Sequence, residues 1–161
     1  MNFTWGGLTE GPTSFAEEPP PPDAVTHTSS VEVLTMDKQD IGPQIEGGPA
    51  VFATLMTERF TGGIEGTGHA DHVRVVQPDG SQIVTGVERV IGSVGGRSGM
   101  FVLTAYGYGD RPGRGQGFWT VVPGSGTGEL AGLRGHGAFT VELGPDGRWS
   151  AEDSFTHWFE R

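Results

Sequence analysis

Glycine breaks into every apolar run in the second half of this chain. Between Gly95 and Gly137 the sequence reads GGRSGMFVLTAYGYG, then a polar stretch, then FWTVVPGSGTGELAGLRGHG. No window there excludes glycine for the three turns of an average helix. Strands accept glycine where another group approaches closely, and tight turns demand it. The segment therefore reads as paired β-strands leading into a glycine corner. With 29 glycines among 161 residues and no three-residue period, a tightly turning all-β protein is the simplest expectation.

A chain of 161 residues can enclose one core and is short for two ordinary domains. The formal net charge is −10, and basic residues are neither clustered nor interleaved with aromatics, which argues against nucleic acid as a partner. Cysteine is absent, so disulfides, thiolate nucleophiles and Cys-ligated metals are excluded. The amino terminus, MNFTWGGLTEGPTSF, lacks the positive and apolar regions of a signal peptide, and no run approaches a membrane span. A cytoplasmic protein without a membrane partner is expected.

Residues 1–24 carry Trp5, Phe15 and the run Pro19 to Pro22, and read as an extended arm. The aromatics of that arm suit a lid or a crossing to a second subunit, as against a loosely attached tail. Residues 25–161 read as the folded domain. Strands are expected at Val25–Asp37, Ala50–Thr61, Glu65–Gln77, Ser81–Val94, Arg97–Gly107, Phe118–Val122, Gly137–Leu143 and Arg148 to about Phe159. Pro78-Asp79-Gly80 and Pro145-Asp146-Gly147 are hairpin turns, and GDRPGRGQG reads as a polar linker. Seven to eight short strands with repeated glycine kinks favour an eight-stranded antiparallel barrel over a sandwich.

The run GVERVIGSVGGRSGMFVLTAYG, followed by SGTGELAGLRG at Ser125 to Gly135, resembles a bacterial family catalogued as domain of unknown function 3224. The resemblance covers about Val25 to Phe159 and is most specific between Gly86 and Gly137. It implies a fold like that of allene oxide cyclase and dirigent proteins, an eight-stranded barrel with an internal cavity, and implies no reaction. The chain departs from the family's pattern at Thr104 and Ala105, where a Gln-His pair is common. The Pro-rich arm is a second departure.

Gly126-Thr127-Gly128-Glu129-Leu130-Ala131 matches GxGxxA, but a dinucleotide site needs a helix there, which LAGLRGHG cannot supply. The serine-hydrolase elbow GxSxG is missing. In a strand, His69 and Asp71 share one face and His72 the other, so at most two ligands converge and no metal is expected. Glu88 lies mid-strand in an apolar stretch, on the face opposite Arg89. Pointing inward it becomes a general acid or base with a raised pKa unless Arg97 pairs with it; pointing outward it is a surface carboxylate. Glu58 and Arg59 pose the same question.

These residues lead to a cofactor-independent cyclase or isomerase, with pericyclic ring closure as one possibility, acting on a hydrophobic polyketide-like metabolite. Glu88, Tyr106 and His72 are the candidate catalytic groups, and Met56, Phe60, Phe101, Trp119 and Arg97 the candidate substrate contacts. The alternative is a non-catalytic carrier of a small apolar ligand. Outward apolar positions suggest a homodimer.

Overall fold

The computed structural model describes residues 19–161 and closes eight antiparallel strands into one barrel, each strand pairing with the next and the last with the first. The strands are β1 (Val25–Asp40), β2 (Ala50–Gly62), β3 (Ile64–Val76), β4 (Gln82–Val94), β5 (Arg97–Arg111), β6 (Arg114–Val121), β7 (Leu133–Leu143) and β8 (Trp149–Phe159). The expected barrel is thus the fold. The readings of Trp5 and Phe15 fall outside the described residues.

Both Pro-Asp-Gly turns form, with Gly80 and Gly147 at φ of 86° and 81°, a region open to glycine at no steric cost. Asp79 Oδ1 accepts from the backbone N–H of Ser81 at 2.9 Å, and Asp146 Oδ1 accepts from that of Arg148 at 3.1 Å. The aspartates thereby fix the hairpins β3–β4 and β7–β8 in register.

Two expected loops are strand instead. GDRPGRGQG is the tip and flank of the β5–β6 hairpin, and LRGHG belongs to β7. In both, glycine occupies alternate inward positions. Gly107 and Gly117 pair directly, and Gly135 is buried. A run that looks like linker is therefore a strand whose inner face has no side chains.

Alternation sorts the rest. One half of the barrel is solid, filled by Phe60, Ile64, Val90, Val94, Phe101, Leu103, Val121, Leu133 and Phe155. The connection from β6 to β7 plugs that end with Leu130, on a single 3₁₀ turn at Gly128–Leu130. A three-residue turn presents no helix to a pyrophosphate, as the GxGxxA reading anticipated.

The same connection mends a gap in the sheet. β6 pairs with β5 only from Leu103 onward, leaving the start of β5 without a strand neighbour on that side. Ser125 Oγ accepts from Val102 N–H at 3.0 Å, Thr127 Oγ1 accepts from Met100 N–H at 3.1 Å, and Thr127 N–H donates to Met100 O at 2.8 Å. Glu129 Oε1 takes the N–H of Ser98 at 3.2 Å. The SGTGELAGLRG stretch is thus a patch and a cork, satisfying backbone groups that a barrel must not leave bare.

Candidate functional site

The other half of the barrel holds a cavity that opens between the hairpin tips. Its wall is largely apolar, with Val31, Val33, Met36, Met56, Trp119 and Trp149 among its residues, and Glu58, Glu88, His72, Arg74 and, near the mouth, Tyr108 are the titratable side chains lining it. Its volume is about 70 Å³.

The floor is built by register. Glu58 on β2 pairs with Gly68 on β3, and Gly68 with Val90 on β4, two residues from Glu88 and on the same face. A methyl on Gly68 would run into Glu88 Oε1 and come within 2.8 Å of Phe60 Cε2. The glycine therefore opens the lane through which the Glu88 carboxyl reaches Glu58, with which it shares a hydrogen bond. The Trp119 wall follows the same rule: a methyl on Gly137 would lie 2.8 Å from Trp119 Cδ1. The indole packs against Phe139 with centroids 5.3 Å apart and against Phe60 at 6.0 Å.

Burial sets the electrostatics. Glu88 is 2% exposed, and loss of water pushes its pKa well above the carboxylate range, with the charges of Glu58 and Asp153 adding to the rise. Glu58 is also raised by burial, while its hydrogen bond to Glu88 and the Arg74 guanidinium pull it back. Two carboxylates in so dry a place resist being charged together, so they titrate as a pair, with the proton favoured on Glu88. Arg74 Nε donates to Thr54 Oγ1 at 3.4 Å, and Thr54 Oγ1 donates to His72 O at 2.8 Å. Burial and Arg74 lower His72 to about 4, so it is neutral at pH 7 and cannot serve there as a cationic acid. Asp153, on β8, is pushed up to about 6 by burial, with Ser29 opposing the rise.

Of the candidate residues, Glu88, His72, Met56 and Trp119 come together on the cavity wall. Phe60 and Phe101 are core beneath the floor, fully packed and away from the void. Tyr106 is a correction: it is 51% exposed on the outer face, because Ala105 and Gly107 take the inward positions of β5. Arg97 is another. It starts β5 at the plugged end, where its guanidinium lies 4.1 Å from the centroid of the Phe159 ring, so it pairs with no cavity carboxylate. Arg74, Asp153, Phe139 and Trp149 were missed. Arg74 had a signal, since it alternates with Val73 and Val75 on the face of His72. Among the described residues no group of three or more His, Asp or Glu side chains could hold a metal ion, and no helix is long and apolar enough to cross a membrane.

A family model described as "Protein of unknown function (DUF3224)" matches residues 27–149. The chain is also similar to a crystal structure of a protein of unknown function from that family, from Shewanella oneidensis MR-1. Identity is 26%, the TM-score is 0.64, and the match covers 86% of this chain and 98% of that one. No curated protein matches.

Proposed function

From the premise that the chain belongs to the DUF3224 family, whose function is unknown, we propose a cofactor-independent isomerase or cyclase acting on a small hydrophobic molecule in the open half of the barrel. The observation that carries this reading is the Glu58–Glu88 pair at the floor of an apolar cavity. A protonated and an ionised carboxyl side by side form an acid and a base that need no further group to shuttle a proton. Both carboxyls are buried, which strengthens every polar contact made there.

The resemblance to allene oxide cyclase and dirigent proteins supports ring closure as a reaction class. A flexible polyketide-like chain fits because its carbonyls would accept the Glu88 proton while its acidic C–H groups meet Glu58. A void of about 70 Å³ admits such a chain only with adjustment of its wall. Met36 and Met56, unbranched and adaptable, are the side chains suited to give way.

The test is conversion of cyclohex-3-en-1-one to conjugated cyclohex-2-en-1-one, followed by ultraviolet absorbance. Glu58 would take the proton from the carbon between carbonyl and alkene, Glu88 would hydrogen-bond the carbonyl oxygen, and the proton would return at the far alkene carbon. Turnover above background, lowered about 100-fold in both Glu58→Gln and Glu88→Gln, is expected. Equal rates in wild type and both variants overturn the assignment.

A carrier reading is favoured by the mainly apolar wall, and binding of an apolar ligand without turnover would select it. Ile83, Val87, Tyr106, Tyr108 and Phe118 are exposed on adjoining strands β4, β5 and β6, which supports association of two copies through that face. Sedimentation velocity should then give a dimer for wild type and a monomer for Phe118→Glu.

A further inference from the structure

We propose that the ligand of this cavity carries a positive nitrogen, as an amine or iminium on an apolar skeleton, held between the Glu58–Glu88 carboxyls and the rings of Trp119, Phe139 and Trp149. The inference rests on the cavity being a ligand site, and adds the charge of what it takes.

Charge inside the wall is unbalanced. Among the described residues, Glu58, Glu88 and Asp153 are buried acids facing inward, and Arg74 is the guanidinium among the cavity-lining residues. Arg74 faces Glu58 and donates to Thr54, so its charge is already engaged. His72 is neutral at pH 7. Counted by residue, two carboxyls on the cavity wall and Asp153 buried behind it face one guanidinium, an excess of acid groups over basic ones. Burying uncompensated charge is costly, and a bound cation removes that cost.

Hydrogen bonding points the same way. Glu88 Oε1 is buried, belongs to a residue 2% exposed, and has no hydrogen-bond partner among the described residues. A carboxyl whose neighbour across the Gly68 lane is another carboxyl keeps acceptor capacity in the pair, and an N–H donor is the group that suits it. Charge-assisted bonds of this kind are the strong ones. The walls add a third reason. Trp119, Phe139 and Trp149 all line the void, and a cation within about 6 Å of an indole or phenyl centroid is attracted to the ring face.

The chemistry is compatible with the proposed proton transfer. An iminium acidifies the C–H on the carbon next to it; that proton passes to the Glu58 carboxylate, the C–H pair becomes a C=C bond, and the C=N π pair moves to nitrogen to give a neutral enamine. Atoms and charge balance without a further reactant.

Three probes of one slender shape separate the possibilities: hexylammonium, hexan-1-ol and heptanoate, titrated into the protein at pH 7 by calorimetry and by the fluorescence of Trp119 and Trp149. Hexylammonium should bind about ten-fold more tightly than hexan-1-ol, a gap of about 1.4 kcal/mol, and heptanoate most weakly. Glu58→Gln should bring hexylammonium down to the level of the alcohol, which separates the site from the acidic surface. Glu88→Gln, which keeps the shape and acceptor of a neutral carboxyl, should lower hexylammonium by less. Hexan-1-ol binding as tightly as hexylammonium overturns the charge inference and leaves the cavity reading intact. No binding by any probe at millimolar concentration overturns both.

Discussion

Asp153 and His72 lie inside the same wall and answer pH in opposite senses. The folded chain keeps a proton on Asp153 up to about 6, where the ordinary value is 3.8. Its contribution to stability is complete below about 3.8 and is lost as pH rises through 6, a change of about 3 kcal/mol. His72 is lowered to about 4 from 6.5, so its contribution is complete above 6.5 and is lost as pH falls through 4, again about 3 kcal/mol. His157 is lowered in the same direction. The two slopes oppose one another across the same window. With two histidines set against one aspartate, thermal melts should fall for wild type between pH 7 and 4, fall more steeply for Asp153→Asn, and fall less for His72→Gln. Glu88, raised well above its ordinary range, loses stability as pH climbs. Glu88→Gln should stabilise the fold at pH 9 by about 1–3 kcal/mol, the scale of a buried polar group left unsatisfied. Sequence alternation placed Glu88 and Arg89 on opposite faces but could not say which faced in. That depends on Gly68, two residues along β3 from Glu88's partner Ala70, leaving room for its carboxyl, and strand register is not written in one strand.

At the scale of elements, the barrel depends on pairing large inward side chains with glycines on the neighbouring strand. Gly68→Ala should lower the melting temperature and remove the raised pKa of Glu88, because the added methyl occupies the place of its carboxyl. Restoring room with Glu88→Ala in the same chain should recover part of the loss, and a double-mutant cycle measures the coupling. Hairpins closed by Pro-Asp-Gly were legible because the turn residues carry their own mechanism. The β5–β6 hairpin was not, because Gly107, Gly109, Gly115 and Gly117 erase the alternation that marks a strand. Tyr106 was misplaced for a related reason: when glycine lines the inside of a strand, its aromatics are left to face out.

For the whole molecule, closure joins the first strand to the last: Val25 pairs with His157 and Val31 with Ala151. Contacts so distant along the chain must form before the barrel is sealed, and loop entropy opposes them until then. Refolding followed by stopped-flow tryptophan fluorescence should fall in the millisecond-to-second range of all-β domains. Ser125→Ala and Thr127→Ala should each cost about 1 kcal/mol and leave probe binding unchanged, since both side chains serve the gap beside β5 at the end away from the cavity. The most recognisable stretch of the chain is thus committed to joinery. A signature of that kind sorts proteins by how their cylinders are sealed, so two bearers of it can shelter unrelated guests, and kinship among them is better traced for ligand through the scattered acids and rings of the open half.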